Sequence, residues 1–263
     1  MKIIDLLNPP ANLKVVITGG AAGIGAVIAK AFHEVGAHVY ICDINASAVD
    51  RMKLEYPGLQ GGVVDVGIKQ QVDRVMDEAL SLLGGLDVLV NNAGIAGPTG
   101  NIEDLDADEW DQTVATNLNS QYYFASKAIP FLKQSRQNPH IIAMSSVAGR
   151  LGYPFRTPYA STKWAIVGLM KSLAAELGPH NVRVNAILPG VVAGERMDRV
   201  IDARAKTLDI SFESMRDQYL DKISLHRMVT MEDIAAMALF LSSQAAANIS
   251  GQAISVDGNV EYL

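Results

Sequence analysis

Two side chains in this sequence are spaced to handle a proton together. Tyr159 and Lys163 bracket the run Tyr159-Ala160-Ser161-Thr162-Lys163. Residues four apart share one face of a helix, so the phenol and the ammonium could reach a common ligand. A free phenol titrates near pH 10 and is a poor base at neutrality. A cation beside it favours the phenolate and brings the pKa toward the working range of an acid/base group. Tyr153 lies close in sequence, but the residue four positions on is Thr157, so the pattern selects Tyr159.

The second constellation is Thr18-Gly19-Gly20-Ala21-Ala22-Gly23-Ile24-Gly25, which runs straight out of an apolar segment into a helix predicted from about Ile24. Glycine is needed where a turn is tight and a pyrophosphate must approach the backbone. Free N–H groups at a helix start, with the positive end of its dipole, favour the anion. Gly19, Ala22, Gly23, Ile24 and Gly25 are therefore the expected phosphate cradle. Asp43 follows Gly25 by 18 residues at the end of the next apolar run. A carboxylate there can accept hydrogen bonds from the adenosine ribose hydroxyls and repels the extra phosphate of NADP. No arginine or lysine stands at Ala21, Ala22, Ile44 or Asn45 to receive that phosphate, so NAD is expected. A plain turn role is the alternative for Asp43. Asp65 and Val66 close the third apolar run, where the adenine edge would lie.

These residues need a scaffold that brings strand ends together. Lys14–Thr18, His38–Asp43, Gly61–Val66, Leu86–Asn91, His140–Ser145, Arg183–Leu188 and Gln252–Val256 read as seven short strands. Their apolar runs are continuous rather than alternating, which suits parallel strands buried on both faces. Helical patterns lie between them; Ile166, Leu169, Met170, Leu173 and Leu177 recur at three- and four-residue spacing. The expectation is an α/β fold, a doubly wound seven-stranded parallel (Rossmann) sheet with helices on both faces. No Pro/Gly-rich linker divides it, so residues 1–263 read as one domain. The segment 191–227 contains no strand pattern, and Glu195–Thr207 and Phe212–Lys222 look helical. Following a strand's C-terminal end, it reads as a small helical flap over the substrate, or else as a solvated helix pair.

Composition excludes several function classes. The net charge is −6 and no lysine/arginine stripe marks a phosphate-backbone surface, so nucleic acid is not an expected partner. The longest apolar runs fall far short of the ~20 residues that cross a bilayer, and Asp5, Asn8, Pro9 and Pro10 interrupt any leader-like stretch, so no membrane association is expected. A single cysteine, Cys42 in an apolar run, fits inert packing in a reducing cytoplasm. The five histidines show no close-spaced ligand pair, so surface or cap roles are expected of them and no metal.

Over essentially its whole length the chain resembles the short-chain dehydrogenase/reductase family. The resemblance is carried by the glycine loop, Asn91-Asn92-Ala93-Gly94, Asn117, Ser145-Ser146, Tyr159-x-x-x-Lys163 and Pro189-Gly190, in the family's order and spacing. It implies that Ser146 hydrogen-bonds the substrate oxygen, with Ser145 as the neighbouring alternative. It also implies that Tyr159 exchanges the hydroxyl proton, that Lys163 holds the nicotinamide ribose, and that the Asn117 backbone holds a water linking the lysine to solvent. Asn91, Ala93 and Gly94 would line the cofactor, as would Pro189 and Gly190. A homotetramer is the family's usual assembly, with Glu232–Leu241, Gln252–Val256 and the tail 259–263 as plausible contacts.

One departure stands out. The family usually has a threonine four residues past the Pro-Gly glycine, bonded to the nicotinamide carboxamide, and this chain has Gly194. The backbone at Val192 would then hold the carboxamide, in a more mobile loop. Expected substrate contacts are Ser146, Val147, Arg150, Tyr153, Tyr159 and Arg196, in a pocket also walled by Ala96, Gly97, Gly149 and Pro154. Arg150 and Arg196 could grip an acid through paired hydrogen bonds, which favours a small polar, sugar-derived or hydroxy-acid alcohol; a surface ion pair is the alternative for either. Two other functions share these motifs: a 3-oxoacyl carrier-protein reductase, and an NAD-sensing regulator that has abandoned turnover. The intact Ser146, Tyr159 and Lys163 count against the second.

Overall fold

The structure is a computed structural model that describes residues Lys2–Glu261. Seven strands, β1 (Lys14–Thr18), β2 (His38–Asp43), β3 (Gln60–Val63), β4 (Val88–Asn91), β5 (His140–Met144), β6 (Arg183–Pro189) and β7 (Ala253–Val256), form one sheet in the order β3-β2-β1-β4-β5-β6-β7. Every pairing is parallel. The doubly wound expectation therefore holds. The order reverses between β1 and β4, and the crevice beyond their C-terminal ends is where such sheets bind ligands.

Alternation along each strand feeds two cores. Val16, Leu89, Ile141, Ala143, Val184 and Ala186 pack on one face against α3 (Lys69–Leu83), α5 (Ser120–Leu132) and α6 (Thr157–Leu177). Val15, Ile17, Val88, Val90, Ile142 and Ile187 pack on the other against α1 (Gly23–Glu34), α2 (Ala46–Glu55) and α9 (Met231–Ser242). Both faces are covered, as a parallel sheet requires. Cys42 lies in the first core with no solvent exposure, in keeping with inert packing.

Between α3 and α5 the chain forms α4 (Ala107–Val114), then a π turn over Ala115–Asn119. The segment after β6 carries α7 (Glu195–Leu208) and α8 (Phe212–Asp221), as the helical pattern predicted. They enclose a third core of Val147, Val191, Ile201, Ala205, Met215, Tyr219, Ile223 and Val260. Bridges at Val192–Val229 and Ile223–Val260 attach this helical layer to the chain on either side.

Three expectations need correction. The third strand stops at Val63, so Asp65 and Val66 lie in the loop beyond it. There the Asp65 carboxylate accepts from Gly67 N at 2.9 Å, and Gln71 accepts from Asp65 N at 2.9 Å, which turns the chain away from the sheet. His140 is not a surface or cap residue but fully buried in β5, its Nε2 3.0 Å from Asn185 Nδ2. Of the tail 259–263, Val260 is buried in the chain's own third core, while Tyr262 and Leu263 lie outside the described residues.

Candidate active site

The glycine loop closes over the β1 end in a conformation that needs glycine, by its backbone at some positions and by crowding at others. Gly19 and Gly23 sit at φ 61° and 54°, and a Cβ at Gly25 would collide with the Gly19 carbonyl. Ala22 caps α1 in extended conformation and offers no side-chain bond to the helix start, which leaves the first N–H groups without a capping side chain. Ile24 packs into the second core and fixes the helix to the sheet. The loop is fastened by two residues that the motif reading quoted without a role. Thr18 Oγ1 accepts from Asn92 N and Ala93 N at 2.9 Å each, and Asn92 Nδ2 donates to the Thr18 and Gly19 carbonyls at 3.0 and 3.1 Å. The signal was the pairing of a hydroxyl at a strand end with amides at its neighbour's end, visible only once β1 and β4 are known to be adjacent. Asp43 stands at the rim, Oδ2 accepting from Ala21 N at 3.1 Å and Oδ1 from Asn45 N at 3.1 Å.

Asn91 differs from its expected role. Its side chain turns into the sheet's core, where Nδ2 donates to the Gln121 carbonyl at 3.1 Å and Gln121 Nε2 returns a bond to the Asn91 carbonyl at 3.1 Å. The pleat explains this, since Asn91 shares the α5-facing side of β4 with Leu89. It anchors α5 to the strand rather than lining the crevice. Gly94 does line it; a Cβ there would lie 3.1 Å from Asn117 Oδ1 and 3.6 Å from Lys163 Nζ.

Tyr159 and Lys163 share a face of α6, with Nζ 5.5 Å from the phenol ring centre. Lys163 is 3% exposed, and its Nζ donates to the Met144 carbonyl at 2.9 Å. Burial pushes the Tyr159 phenol up, but Lys163, Arg196, a hydrogen bond from Ser146 and Arg156 outweigh it and hold the pKa below the ordinary phenol value. Burial lowers the Lys163 pKa; Tyr159 opposes that and Arg196 adds to it. Ser146 Oγ accepts from Ala148 N at 3.2 Å, so its own hydrogen is the one directed at the Tyr159 oxygen. Ser145, by contrast, is committed: its hydroxyl donates to the Lys163 carbonyl at 2.8 Å. Asn117, fully buried in the π turn, clamps the loop after β4 to α6. Its Oδ1 accepts from Ile95 N at 2.8 Å, and Nδ2 donates to Ile95 O at 3.1 Å and Thr162 Oγ1 at 3.2 Å. A π turn changes the backbone hydrogen-bond register, and such turns concentrate at functional sites.

Beyond β6, Pro189 ends the strand and Gly190 passes Asp257 so closely that a Cβ would lie 2.6 Å from the Asp257 Cβ. The bridge to Val229 uses the Val191 carbonyl and the Ala193 N–H. The Val192 amide therefore points to the opposite edge.

The expected substrate residues separate. Arg150 is engaged elsewhere: Nη2 donates to Asp257 Oδ2 at 2.9 Å and to the Val260 carbonyl at 2.8 Å, so it fastens the chain's end instead of gripping a ligand. Val147 is buried in the third core. Tyr153 is hydrogen-bonded to Tyr219, oxygen to oxygen at 2.6 Å, and burial first, then Tyr219, pushes its pKa up. Arg196 is exposed in the first turn of α7, where its charge reaches Tyr159 and Lys163. Sequence reasoning missed Arg156, which is 2% exposed and donates to the Ala96 carbonyl at 2.7 Å with its guanidinium 5.2 Å from the Tyr159 ring centre. It also missed Arg204, 6% exposed on α7. Arg156 stands three residues before Tyr159 at the start of α6, a spacing that could have marked it, whereas Arg204 lies on another helix and nothing in the one-dimensional order ties it to the site. Among the described residues no group of three or more His, Cys, Asp or Glu is placed to hold a metal ion, and no helix is long and apolar enough to cross a membrane.

Comparison with known proteins agrees with this geometry. A family model described as enoyl-(acyl carrier protein) reductase matches residues 19–260. The 3-oxoacyl-[acyl-carrier-protein] reductase FabG of Chlamydia muridarum is 34% identical over 254 residues, covering 95% of this chain and 97% of its own. The D-beta-hydroxybutyrate dehydrogenase of Rhizobium meliloti is 32% identical, with 92% and 96% covered. Among solved structures, a 3-ketoacyl-(acyl-carrier-protein) reductase from Brucella melitensis complexed with NADH superposes with a TM-score of 0.84 at 31% identity, covering 95% of this chain and 98% of that one. An actinorhodin polyketide ketoreductase with NADPH gives 0.89 at 25%, covering 95% and 97%. With its sheet order, its glycine cradle and a lysine beside a depressed phenol, the chain belongs to the short-chain dehydrogenase/reductase family of oxidoreductases.

Proposed function

We propose that the chain is an NAD-dependent oxidoreductase that interconverts a small polar secondary alcohol, sugar-derived or a hydroxy acid, and its ketone. The observation that carries this reading is the cluster of Tyr159, Lys163 and Ser146 at the mouth of a crevice whose glycines leave space for a dinucleotide. The residues present fit such a group: the cradle of Gly19, Ala22, Gly23, Ile24 and Gly25 for the pyrophosphate, Asp43 for the adenosine ribose, and Asp65 and Val66 for the adenine. Ala93, Gly94, Pro189, Gly190 and the Val192 backbone would border the nicotinamide. The nicotinamide, when bound, supplies the two-electron acceptor or donor.

The remaining work falls to this chain. In the oxidising direction Tyr159 Oη, as phenolate, takes the substrate's hydroxyl proton. Ser146 Oγ donates a hydrogen bond to the same oxygen and steadies its developing charge. Lys163 keeps the phenol acidic and holds the nicotinamide ribose, while Asn117 keeps the loop after β4 against α6. Reduction runs the same proton back from Tyr159 to the ketone oxygen.

Asp43 supports NAD over NADP, because a 2′-phosphate would meet its carboxylate. A single buried cysteine supports a cytoplasmic setting. The family resemblance supports a homotetramer built from one 1–263 domain, with 191–227 as the substrate flap. A second reading, reduction of a 3-oxoacyl group on a carrier protein, is favoured by the name of the Chlamydia relative. Asp43 and the −6 net charge weigh against NADPH use and against docking an acidic carrier.

Initial rates with polyols, aldonates and hydroxy acids, and with an acetoacetyl thioester in the reducing direction, test the proposal. The expected result is turnover of small polar alcohols with kcat/KM for NAD at least about tenfold above NADP, a difference of about 1.4 kcal/mol. Equal efficiency with both cofactors, or activity confined to the thioester, would contradict it.

A further inference from the structure

We infer that the substrate carries an anionic group (carboxylate, sulfonate or phosphate) held by Arg156 and Arg204, an inference that rests on the oxidoreductase reading above. These two arginines belong to a ladder of alternating rings and guanidinium groups that starts at the acid/base. The Arg156 Cζ lies 5.2 Å from the Tyr159 ring centre and 5.3 Å from that of Tyr153. Arg204 continues it, 5.3 Å from the Tyr153 centre and 5.5 Å from that of Tyr219. The Tyr153–Tyr219 hydroxyl pair and a bond from Arg204 Nη1 to Tyr219 Oη at 3.2 Å close the far end.

Both guanidinium groups are more than nine-tenths buried, and both Nε atoms are buried with no hydrogen-bond partner. Among the described residues neither arginine forms an ion pair. A cation removed from water is costly unless a counter-charge faces it. Aromatic faces offset part of that cost but accept no strong N–H bonds. The chain does not lack acids: it has 28 Asp and Glu against 22 Lys and Arg. Arg150, only six residues before Arg156, takes Asp257 as its partner. The withholding of a carboxylate is thus local to the ladder. Other cations gather there too. Lys222 is depressed by burial and by Arg204, and the charge of Arg196 reaches Tyr159 as well. A guanidinium fork matches a carboxylate, sulfonate or phosphate with paired N–H bonds. An anion brought by the substrate would meet the unused donors, and the ladder's start at Tyr159 requires a short spacer between that anion and the carbinol carbon.

The test uses 3-hydroxybutyrate, 3-hydroxybutane-1-sulfonate, 3-hydroxybutyl phosphate and uncharged methyl 3-hydroxybutyrate with NAD. At least one anion is expected to exceed the ester about tenfold in kcat/KM, equivalent to about 1.4 kcal/mol. Arg204→Met should cut that anion's kcat/KM about tenfold more than the ester's, chiefly through KM, and Arg204→Lys should restore part of it. The anion that leads identifies the source of the charge. An ester turned over as well as every anion, or a loss in Arg204→Met equal for all four, would overturn the inference. Melting of the NADH complex with butyrate, methanesulfonate or inorganic phosphate provides a readout independent of turnover. A saturable rise that vanishes in Arg204→Met supports the assignment, and no rise with any of the three refutes it. If NADH itself fails to stabilise the protein, the oxidoreductase reading fails; if NADH stabilises and the anions do not, only the anion site fails.

Discussion

Gly194 shows how one residue can be forced by its backbone. It sits at φ 135° and ψ 170° at the start of α7, a region that only glycine enters without strain, and a Cβ there would lie 2.8 Å from Met231 Cε. The Met231 tip can move aside, but a threonine would be strained by this backbone, which is a conformational reason for the departure seen in the sequence. Gly194→Thr is expected to lower stability by about 1–3 kcal/mol, read from the denaturant midpoint. An unchanged midpoint would mean that the loop relaxes at no cost. The arginines teach the complementary lesson. Type and position in the chain named Arg150 and Arg196 as ligand grips, yet Arg150 is spent on Asp257, while Arg156 lies beside the Tyr159 ring and Arg204 beside those of Tyr153 and Tyr219. A guanidinium reaches far from its Cα, so its partner is a property of three-dimensional neighbours. Tyr159 and Lys163 were legible because a single helical turn fixes their relation.

Among the elements, strands were legible where both faces are buried and their ends were less so. β1 and β2 match their predicted limits, whereas the third run stops at Val63 because Asp65 turns the loop. The β5–β6 pair holds a feature invisible in composition, a buried histidine registered opposite Arg183. Burial, then the charge of Arg183, holds the His140 pKa well below its ordinary value, so the folded protein keeps it neutral. The unfolded chain binds that proton near pH 6.5. Because the unfolded state binds more protons below that pH, stability is fully present above it and falls as the solution is acidified. The limiting slope is about 1.4 kcal/mol per pH unit. Urea midpoints at pH 7.5 and 5.5 should therefore fall in the wild type and fall less in His140→Gln. An equal fall in both would assign the loss to other groups.

At the scale of the molecule, an overall charge of −6 coexists with a cleft where Lys163, Arg156 and Arg196 all act on one phenol. The sheet order explains how: parallel strands deliver Ser146 past the end of β5 and the helical layer of α7 and α8 past the end of β6 to the same edge, and α6 lays Tyr159 and Lys163 across it. That convergence was foreseeable from strand–helix alternation and the glycine loop. The ladder of Tyr153, Arg156, Arg204 and Tyr219 was not, since it joins the α6 entry to a helical layer whose docking no sequence period encodes. The account turns on Tyr159 being an acidified phenol, and tyrosinate absorbance near 295 nm during an alkaline titration reads this directly. Subtracting the Tyr159→Phe curve should isolate one phenol ionising below pH 10 in the wild type, with its midpoint moved upward in Lys163→Met. A difference curve with no ionisation below pH 10, or one unmoved by loss of the lysine, would contradict the mechanism.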